Sequence, residues 1–229
     1  MNAESTLALK FLDEGAIGPY SEFRWPKPRG SRPGKWVHVN GELDMCKRGI
    51  HACAFVQATR WLREECYVIE LRDVVSDDGD KLLARSGRLV RRVDSWGQRA
   101  MVQYAADCAT HVLPIFEKKY PKDDRPRKAI QAARKWARSP SEKSAYAASA
   151  ASYASSAAAS YASSAASAAY DASAAASAAA YAASAAYDAS AYAASAAYDA
   201  SAAAYAASQE RAWQTKRLRH YIKAPEVVS

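Results

Sequence analysis

Short runs rich in apolar residues recur through the first 93 residues of the chain, and in residues 35–39 apolar and polar positions alternate. A period of two is typical of strands with one buried face, and Gly, Asn and Asp turns separate the runs. The predicted strands are residues 7–12, 35–39, 49–53, 66–71, 81–85 and 88–93, with a short helix over residues 55–63. A turn is predicted over residues 76–80, and another at Ser86 and Gly87. Together these elements predict a mixed or antiparallel sheet.

From residue 95 onward the apolar positions recur at helical spacing. Ser95 is a candidate N-cap for a helix that Pro114 ends or kinks. A second helix is predicted over residues 125–138, because Pro126 suits a first helical turn and an apolar stripe lies opposite a basic one. The basic stripe consists of Arg127, Lys128, Arg134, Lys135 and Arg138. A last helix is predicted over residues 209–222, before Pro225.

Residues 145–208 contain only Ala (37), Ser (15), Tyr (nine) and Asp (three). Such a run has high helix propensity and no Gly or Pro, so it predicts helix and not disorder. An eleven-residue repeat makes three helical turns and returns each Tyr to nearly the same face. The tyrosines form two stripes, Tyr170, Tyr181 and Tyr192 and then Tyr187, Tyr198 and Tyr205, and a third, looser one of Tyr146, Tyr153 and Tyr161. The face changes midway, so we expect two or more antiparallel helices with a break near residues 162–173, after a capping box at residues 139–142.

The pattern as a whole predicts an α+β protein. Residues 1–94 are expected to form a small mixed or antiparallel sheet domain, and residues 95–229 an Ala-rich helical bundle. No long aliphatic run is present and the start of the chain has no secretory signal, so we expect a cytoplasmic protein without a membrane span. In that compartment the four cysteines, Cys46, Cys53, Cys66 and Cys108, are expected to be reduced thiols.

The net charge of +8 is unevenly placed along the chain. Residues 1–144 carry +8, residues 145–208 carry −3 and residues 209–229 carry +3. Scattered Lys and Arg are typical of a solvated surface, but the same balance suits nucleic acid or an acidic protein. Residues 25–34 hold three Pro and two Gly, which predicts an irregular loop with projecting basic side chains. Such a loop is either an ordinary exposed connection or a binding segment.

The run of residues 43–53 is the most chemically suggestive one. Cys46, His51 and Cys53 are soft ligands, but their spacing matches no common zinc motif. A buried, hydrogen-bonded His51 beside inert cysteines is the simpler interpretation, and a functional His51 is the alternative. We therefore expect no metal site and no bound cofactor.

Two stretches of the chain resemble known families. The runs ADCATHVLPIFE (residues 106–117), DRPRKAIQAAR (124–134) and WQTKRLRHY (213–221) resemble the immunity protein family of bacteria and phages, over residues 106–222. That resemblance implies an Ala-rich helical protein. The runs GIHAC (49–53), VIEL (68–71) and DGDK (78–81) resemble an uncharacterised domain that heads bacterial and phage proteins ending in low-complexity repeats, over residues 7–93.

A third similarity concerns chemistry. The strand and helix order around GIHAC and YVIEL is similar to that of small ADP-ribosyltransferase-like domains, where a His on such a strand contacts nicotinamide dinucleotide. The resemblance implies this role for His51, a phosphate-binding role for Arg24 or Arg48, and an acid role for Glu70. A complete set of transferase motifs is absent from the sequence.

Three functions follow as hypotheses. The first is a non-catalytic binding or neutralising protein that presents the tyrosine stripes, with Arg127 and Arg134, to a protein partner or to a second copy of itself; Tyr is favoured at interfaces. The second is a transferase-like enzyme that uses NAD in the sheet domain. The third is nucleic-acid binding through residues 125–138 and 216–223.

Overall fold

The computed structural model describes residues 5–45, 47–139 and 204–227. The chain divides into a first unit, residues 1–96 with residues 222–229, and a second unit, residues 97–221. In the described part of the chain, no helix combines the length and the apolar character needed to cross a membrane.

The first unit is built on an antiparallel sheet. Its elements in chain order are β1 (Ser5–Leu12), β2 (Val37–His38), β3 (Ile50–Ala52), a 3₁₀ helix (Phe55–Arg60), β4 (Glu65–Asp77) and β5 (Leu82–Arg92). The strand order is β1-β4-β5-β2, and β3 also pairs with β5. Together with the helices of the second unit, this sheet confirms the predicted α+β class.

The sheet curls back on itself through the residue that follows β3. The Leu9 amide donates to the Cys53 carbonyl (2.8 Å) and the Cys53 amide to the Leu9 carbonyl (2.9 Å). β1 pairs with β4 on its other side, and β3 pairs with β5. The two bonds between Leu9 and Cys53 therefore connect β1, at one edge of the sheet, with the end of β3 at the opposite edge. The buried core that the curled sheet encloses consists of Ala8, Leu12, Ala16, Trp25, Ile50, Ala52, Tyr67, Ile69, Leu71, Leu82, Ala84 and Leu89.

The predicted turn at Ser86 and Gly87 is wrong, because β5 passes through both residues without interruption. Gly87 pairs with Leu71 on β4 and with Val37 on β2. A Cβ atom at Gly87 would lie 3.1 to 3.2 Å from side-chain atoms of Ile50, Ile69 and Leu71. The glycine is there because the core needs the space, and not because the chain turns.

Other strand boundaries also differ from the prediction. The strand expected over residues 66–71 extends to Asp77, because its polar continuation still pairs with β5. The strand expected over residues 35–39 is limited to Val37–His38. The predicted acidic turn is confirmed at residues 78–81, where the Asp78 carboxylate accepts the amides of Asp80 (2.9 Å) and Lys81 (2.8 Å). These bonds hold the pKa of Asp78 below its ordinary value.

Three helices are described in the second unit: α1 (Gln98–Lys119), α2 (Arg125–Arg138) and α3 (Ala204–Tyr221). The predicted apolar stripe of α2 is confirmed, and it consists of Ala129, Ile130, Ala133, Trp136 and Ala137. Small residues in that stripe allow close packing against α1, whose buried side includes Val102, Ala106, Ala109 and Phe116.

One helix-boundary prediction is wrong. Ser95 is not the N-cap of α1, which begins after Gly97; the Ser95 hydroxyl instead accepts the Lys223 amide (3.1 Å) within the first unit. Of the two outcomes predicted for Pro114, ending the helix is excluded, because α1 continues for five more residues. A proline removes only its own N–H from the helix, and the buried Phe116 anchors the turn that follows.

Several sequence predictions lie outside the described residues. They are the capping box at residues 139–142, the break near residues 162–173, the Cys46 side chain, and the tyrosines Tyr170, Tyr181, Tyr187, Tyr192 and Tyr198. Tyr205 falls in the first turn of α3, but its side chain also lies outside the described set.

Candidate functional site

The three described helices of the second unit meet at one carboxylate, that of Asp107 on α1. Its oxygens accept hydrogen bonds from Arg134 on α2 (3.1 Å to Nη2), from Arg217 on α3 (2.7 Å to Nε), and from the Tyr221 hydroxyl. Arg134 also donates to the Thr110 hydroxyl (2.9 Å), one turn along α1. Charged hydrogen bonds of this kind are strong and fix orientation.

These contacts change the proton affinities of the groups involved. Burial raises the pKa of Tyr221 to about 12, and its hydrogen bond to Asp107 adds to the effect. The same carboxylate raises the pKa of Arg217 by accepting its guanidinium N–H groups. Both side chains therefore keep their protons throughout the physiological range, and the network is a fixed donor set around one acceptor.

A stacked pair of rings lies one turn farther along α1. His111 lies flat on Trp213 of α3, with centroids 3.8 Å apart and planes 3° from parallel. Its Nε2 is 3.2 Å from the Glu210 carboxylate, which also accepts a bond from Gln214 (3.1 Å). Burial raises the pKa of Glu210. The stack extends the contact between α1 and α3 in the direction away from Asp107.

We call this set of side chains the α1–α3 cluster. Its members are Asp107, His111, Arg134, Glu210, Trp213, Arg217 and Tyr221. The cluster is not sealed from solvent, because the side chains of His111, Arg134 and Arg217 are each 37 to 41 % exposed. Trp, Tyr and Arg are the residue types that contribute most to protein interfaces. The arrangement therefore suits recognition, with rigid aromatic and cationic groups at a partly open surface.

Of the binding residues predicted from sequence, Arg134 belongs to the α1–α3 cluster. Arg127 lies apart from it, in a two-pronged ion pair with Glu117 of α1 (2.9 and 2.7 Å). Lys128 pairs with Asp124 (2.8 Å), so three of the five residues of the predicted basic face of α2 bind carboxylates of the same unit. Lys135 and Arg138 remain exposed.

Arg217 and Tyr221 fall within residues 216–223, which the sequence predicted as a nucleic-acid-binding segment, but their grouping with the other cluster members was not predicted. Their signal is present but weak: polar and aromatic residues recur at positions 210, 213, 217 and 221, the spacing of one helix face. Their partners lie 110 or more residues away along the chain, which no local pattern reveals.

In the first unit, the structure separates the residues that the transferase-like resemblance groups. His51 on β3 lies opposite Leu83 of β5, whereas Glu70 on β4 lies opposite Arg88. Those two β5 positions are five residues apart, roughly 17 Å at 3.4 Å per residue. Arg24 lies beside the turn at Gly15, and Arg48 beside Gly41.

Each of these residues has a local partner or fixed environment. The Glu70 carboxylate accepts the Arg88 Nε (2.7 Å), and the His51 carbonyl accepts the Lys10 ammonium. Burial, reinforced by the charges of Lys10 and Lys81, lowers the pKa of His51. The backbones of Arg24 and Arg48 form bridges with Ile17 and Asp44. The structure thus does not bring the four side chains into one catalytic group.

Three of the four cysteines are described, and all three are buried free thiols, as predicted. Burial raises the pKa of Cys53 and Cys66, and raises that of Cys108 to about 12. A thiol with a raised pKa is a poor nucleophile and a poor metal ligand. Among the described side chains, no three of His, Cys, Asp or Glu are grouped so that they could hold a metal ion.

Lys10 is a buried cation that sequence reasoning missed. It lies on β1, donates to the His51 carbonyl, and its ammonium is 5.3 Å from the centre of the Trp25 ring. Burial lowers its pKa to about 8. The ring and the carbonyl replace part of the hydration that the charge loses.

Part of the chain matches a known protein family. Residues 92–221 match a family model described as Imm-5 like putative immunity protein. No curated protein and no solved structure matches the chain. The match begins at residue 92, so it gives no support to the resemblance of residues 7–93 to the domain of repeat proteins.

Proposed function

The chain belongs to the Imm-5 like putative immunity protein family, and from this premise we propose that it binds and neutralises a protein partner without catalysis of its own. An immunity function requires recognition of another protein. It requires neither a cofactor nor a nucleophile.

One observation carries the proposal. The matched segment, residues 92–221, coincides within five residues at its start with the second unit, residues 97–221, and ends at the same residue. The family character therefore belongs to the helical unit as a whole. This is the reason to look for the binding surface on the helices and not on the sheet.

Within that unit we assign partner binding to the α1–α3 cluster. Trp213 and Tyr221 offer large apolar surfaces with a polar edge, and Arg217 offers a planar cation between them on one face of α3. Asp107 and His111 hold these side chains in place, so little conformational entropy is lost when a partner docks. The tyrosine stripes predicted over residues 170–205 are proposed as a second part of the same interface.

Charge indicates the kind of partner. Residues 97–139 contain ten Lys or Arg and four Asp or Glu. The exposed members include Lys118, Lys122, Lys135 and Arg138. A surplus of this sign accelerates association with an acidic surface and disfavours basic competitors. We therefore propose an acidic partner protein.

Site-specific crosslinking tests the assignment. The full chain with p-benzoylphenylalanine in place of Lys216, which is exposed on α3 one turn from Trp213, is irradiated with bacterial lysates and secreted fractions, and crosslinked species are identified by mass spectrometry. The control carries the same crosslinker in place of Lys118, which is exposed on α1 but outside the cluster. We expect one acidic protein to be enriched at position 216 and not at position 118.

Growth protection then separates neutralisation from simple binding. The captured protein is produced in a bacterial host with and without this chain, and growth is followed. We expect the wild-type chain to restore growth, and a Trp213→Ala and Arg217→Ala double variant to restore little. A captured protein that is harmless to the host, or equal rescue by both chains, contradicts the proposal.

The transferase-like and nucleic-acid hypotheses for the predicted residues are not carried forward as functions. His51 and Glu70 are far apart on the sheet, and Glu70 is bound to Arg88. Arg127 and Arg134, central to the predicted basic helix, form ion pairs with Glu117 and Asp107.

A further inference from the structure

One exposed face of the first unit has a composition that its role in the fold does not explain. On the side of the sheet away from the enclosed core, Trp36 and His38 lie beside Arg72 of β4 and Arg88 of β5. The Arg72 guanidinium is 4.3 Å, and the Arg88 guanidinium 4.8 Å, from the centre of the Trp36 ring. The His38 ring is 6.2 Å from the Trp36 ring and 26° from parallel. Four planar groups thus adjoin one another.

Strand register explains why these side chains share one face. Val37 of β2 packs against the core. It lies opposite Gly87 of β5, and Gly87 lies opposite Leu71 of β4, which is a core residue. Side chains alternate along a strand, so the neighbours of these three residues point the other way. His38, Ser86 and Arg72 form one cross-strand row. Arg88 and Glu70 form the next, beside Trp36.

Hydrogen bonds make this face rigid. The His38 Nδ1 is 2.9 Å from the Ser86 hydroxyl, and the Glu70 carboxylate accepts the Arg88 Nε at 2.7 Å. The Arg72 side chain is 44 % exposed and reaches Glu70 only at 3.9 Å. Most N–H donors of Arg72 are therefore directed to solvent. The hydrogen bond to Glu70, in contrast, fixes the orientation of the Arg88 guanidinium.

A basic loop, residues 27–35, ends at the edge of the same face. The Gly34 amide donates to the Leu89 carbonyl of β5 (2.8 Å), next to Arg88, and anchors the end of the loop there. Its tip is a tight turn in which Arg29 and Arg32 exchange backbone bonds of 2.9 and 3.1 Å. Lys27, Arg29, Arg32 and Lys35 are all exposed. Among the described residues, no carboxylate lies within ion-pair distance of any of these four.

We propose that this face, formed by Trp36, His38, Arg72 and Arg88 with the basic loop of residues 27–35, binds a single-stranded polynucleotide. The loop cations and Arg72 bind the phosphodiester backbone. Unpaired bases stack on the planar groups, since aromatic rings and guanidinium planes are the usual partners of splayed-out bases. The proposal concerns a different unit from the proposed immunity function and does not depend on it.

The chemistry favours this ligand over two others. An acidic protein would satisfy the cations, but its carboxylates do not stack on Trp36 or His38, whereas each nucleotide supplies a phosphate and a planar base together. A duplex keeps its bases stacked on one another, so they are not accessible to Trp36 or His38. RNA and DNA share the features that the face recognises, and the experiment distinguishes them.

Fluorescence anisotropy with labelled twenty-residue oligouridylate and oligothymidylate, titrated with the full chain, tests the proposal. Both should bind in 50 mM NaCl. Affinity should fall roughly fiftyfold in 200 mM NaCl if about four phosphates are contacted. An Arg29→Glu and Arg32→Glu double variant should reduce affinity at least tenfold, because both side chains are at an exposed loop tip. The matched control, Lys118→Glu with Lys122→Glu, should change it less than threefold.

A second variant separates stacking from charge. Trp36→Leu leaves the net charge unchanged, and we expect it to weaken binding about tenfold or more while circular dichroism shows an unchanged fold. The proposal is overturned by absence of binding in 50 mM NaCl, by equal losses in the loop and control variants, or by full affinity of Trp36→Leu. Displacement of the oligonucleotide by polyglutamate at equal charge also overturns it, in favour of an acidic protein ligand.

Discussion

Asp107 joins three helices through one side chain. Its partners lie on α2 and α3 and are 27, 110 and 114 residues away in the chain. The carboxylate is only 16 % exposed, so each partner's charge is weakly screened at that point. The geometry of the α1–α3 cluster therefore depends on one residue more than on any other.

Replacing Asp107 by Asn tests this dependence. The variant keeps the shape of the side chain but removes its charge and one acceptor, so Arg134 and Arg217 compete for weaker bonds. We expect the free energy of unfolding to fall by about 2 kcal/mol, measured by urea denaturation. Asp124→Asn is the control, because that carboxylate bonds only the exposed Lys128, and its loss should cost no more than about 0.5 kcal/mol. Equal costs would contradict the central role of Asp107.

Lys10 links the stability of the first unit to pH. In the folded protein its pKa is about 8, against 10.5 for an unperturbed lysine. Between these values the unfolded chain holds the proton that the folded protein has released, so unfolding takes up a proton and stability rises with pH. Over the whole transition, deprotonation of Lys10 raises the free energy of unfolding by about 3 kcal/mol.

A comparison with Lys10→Met isolates this contribution from other titrating groups. We expect the free energy of unfolding of the wild type, relative to that of the variant, to rise between pH 8 and pH 10.5 and to stay constant below pH 7. Chemical denaturation at intervals of half a pH unit measures it. Parallel curves for the two proteins over the whole range would show that Lys10 is not desolvated.

Among the elements of the first unit, β5 has the largest part in holding the sheet together, because it pairs with β2, β3 and β4. Gly87 lies at its centre, where a methyl group would force the side chains of Ile50, Ile69 and Leu71 to move by a few tenths of an ångström. A glycine at this position keeps the strand continuous and the core closed.

Gly87→Ala should therefore destabilise the first unit by about 1 to 3 kcal/mol through overpacking. Gly97→Ala is a suitable control, since no heavy atom lies within 4 Å of the added Cβ atom, and we expect a smaller loss, below about 1 kcal/mol. Thermal unfolding followed by circular dichroism compares them. A Gly87→Ala protein as stable as the wild type would mean that Ile50, Ile69 and Leu71 can move aside for the methyl group.

The elements also show what a sequence can and cannot predict. β1 and α2 were predictable from local sequence, β1 from a short apolar run and α2 from an apolar stripe with a period of 3.6. The continuity of β5 was not predictable, because a glycine is found both in turns and at crowded positions within strands, and the sequence does not distinguish the two. The α1–α3 cluster and the Trp36 face were not predictable either, since helix packing and strand register bring their members together.

For the whole molecule, the two units carry different chemistry. The helical unit matches the immunity family and presents aromatic and cationic side chains fixed around Asp107. The sheet unit presents planar and basic groups around Trp36. We therefore propose that one unit recognises a protein partner and the other a polynucleotide.

The central claim is that the helical unit binds its partner through the α1–α3 cluster. Isothermal titration of the captured partner with the full chain, its Trp213→Ala variant and its Lys118→Ala variant tests it most directly. We predict that Trp213→Ala weakens binding at least about thirtyfold, as expected of an interface hot spot, and that Lys118→Ala changes it less than threefold. Equal affinity of the wild type and Trp213→Ala would contradict the account.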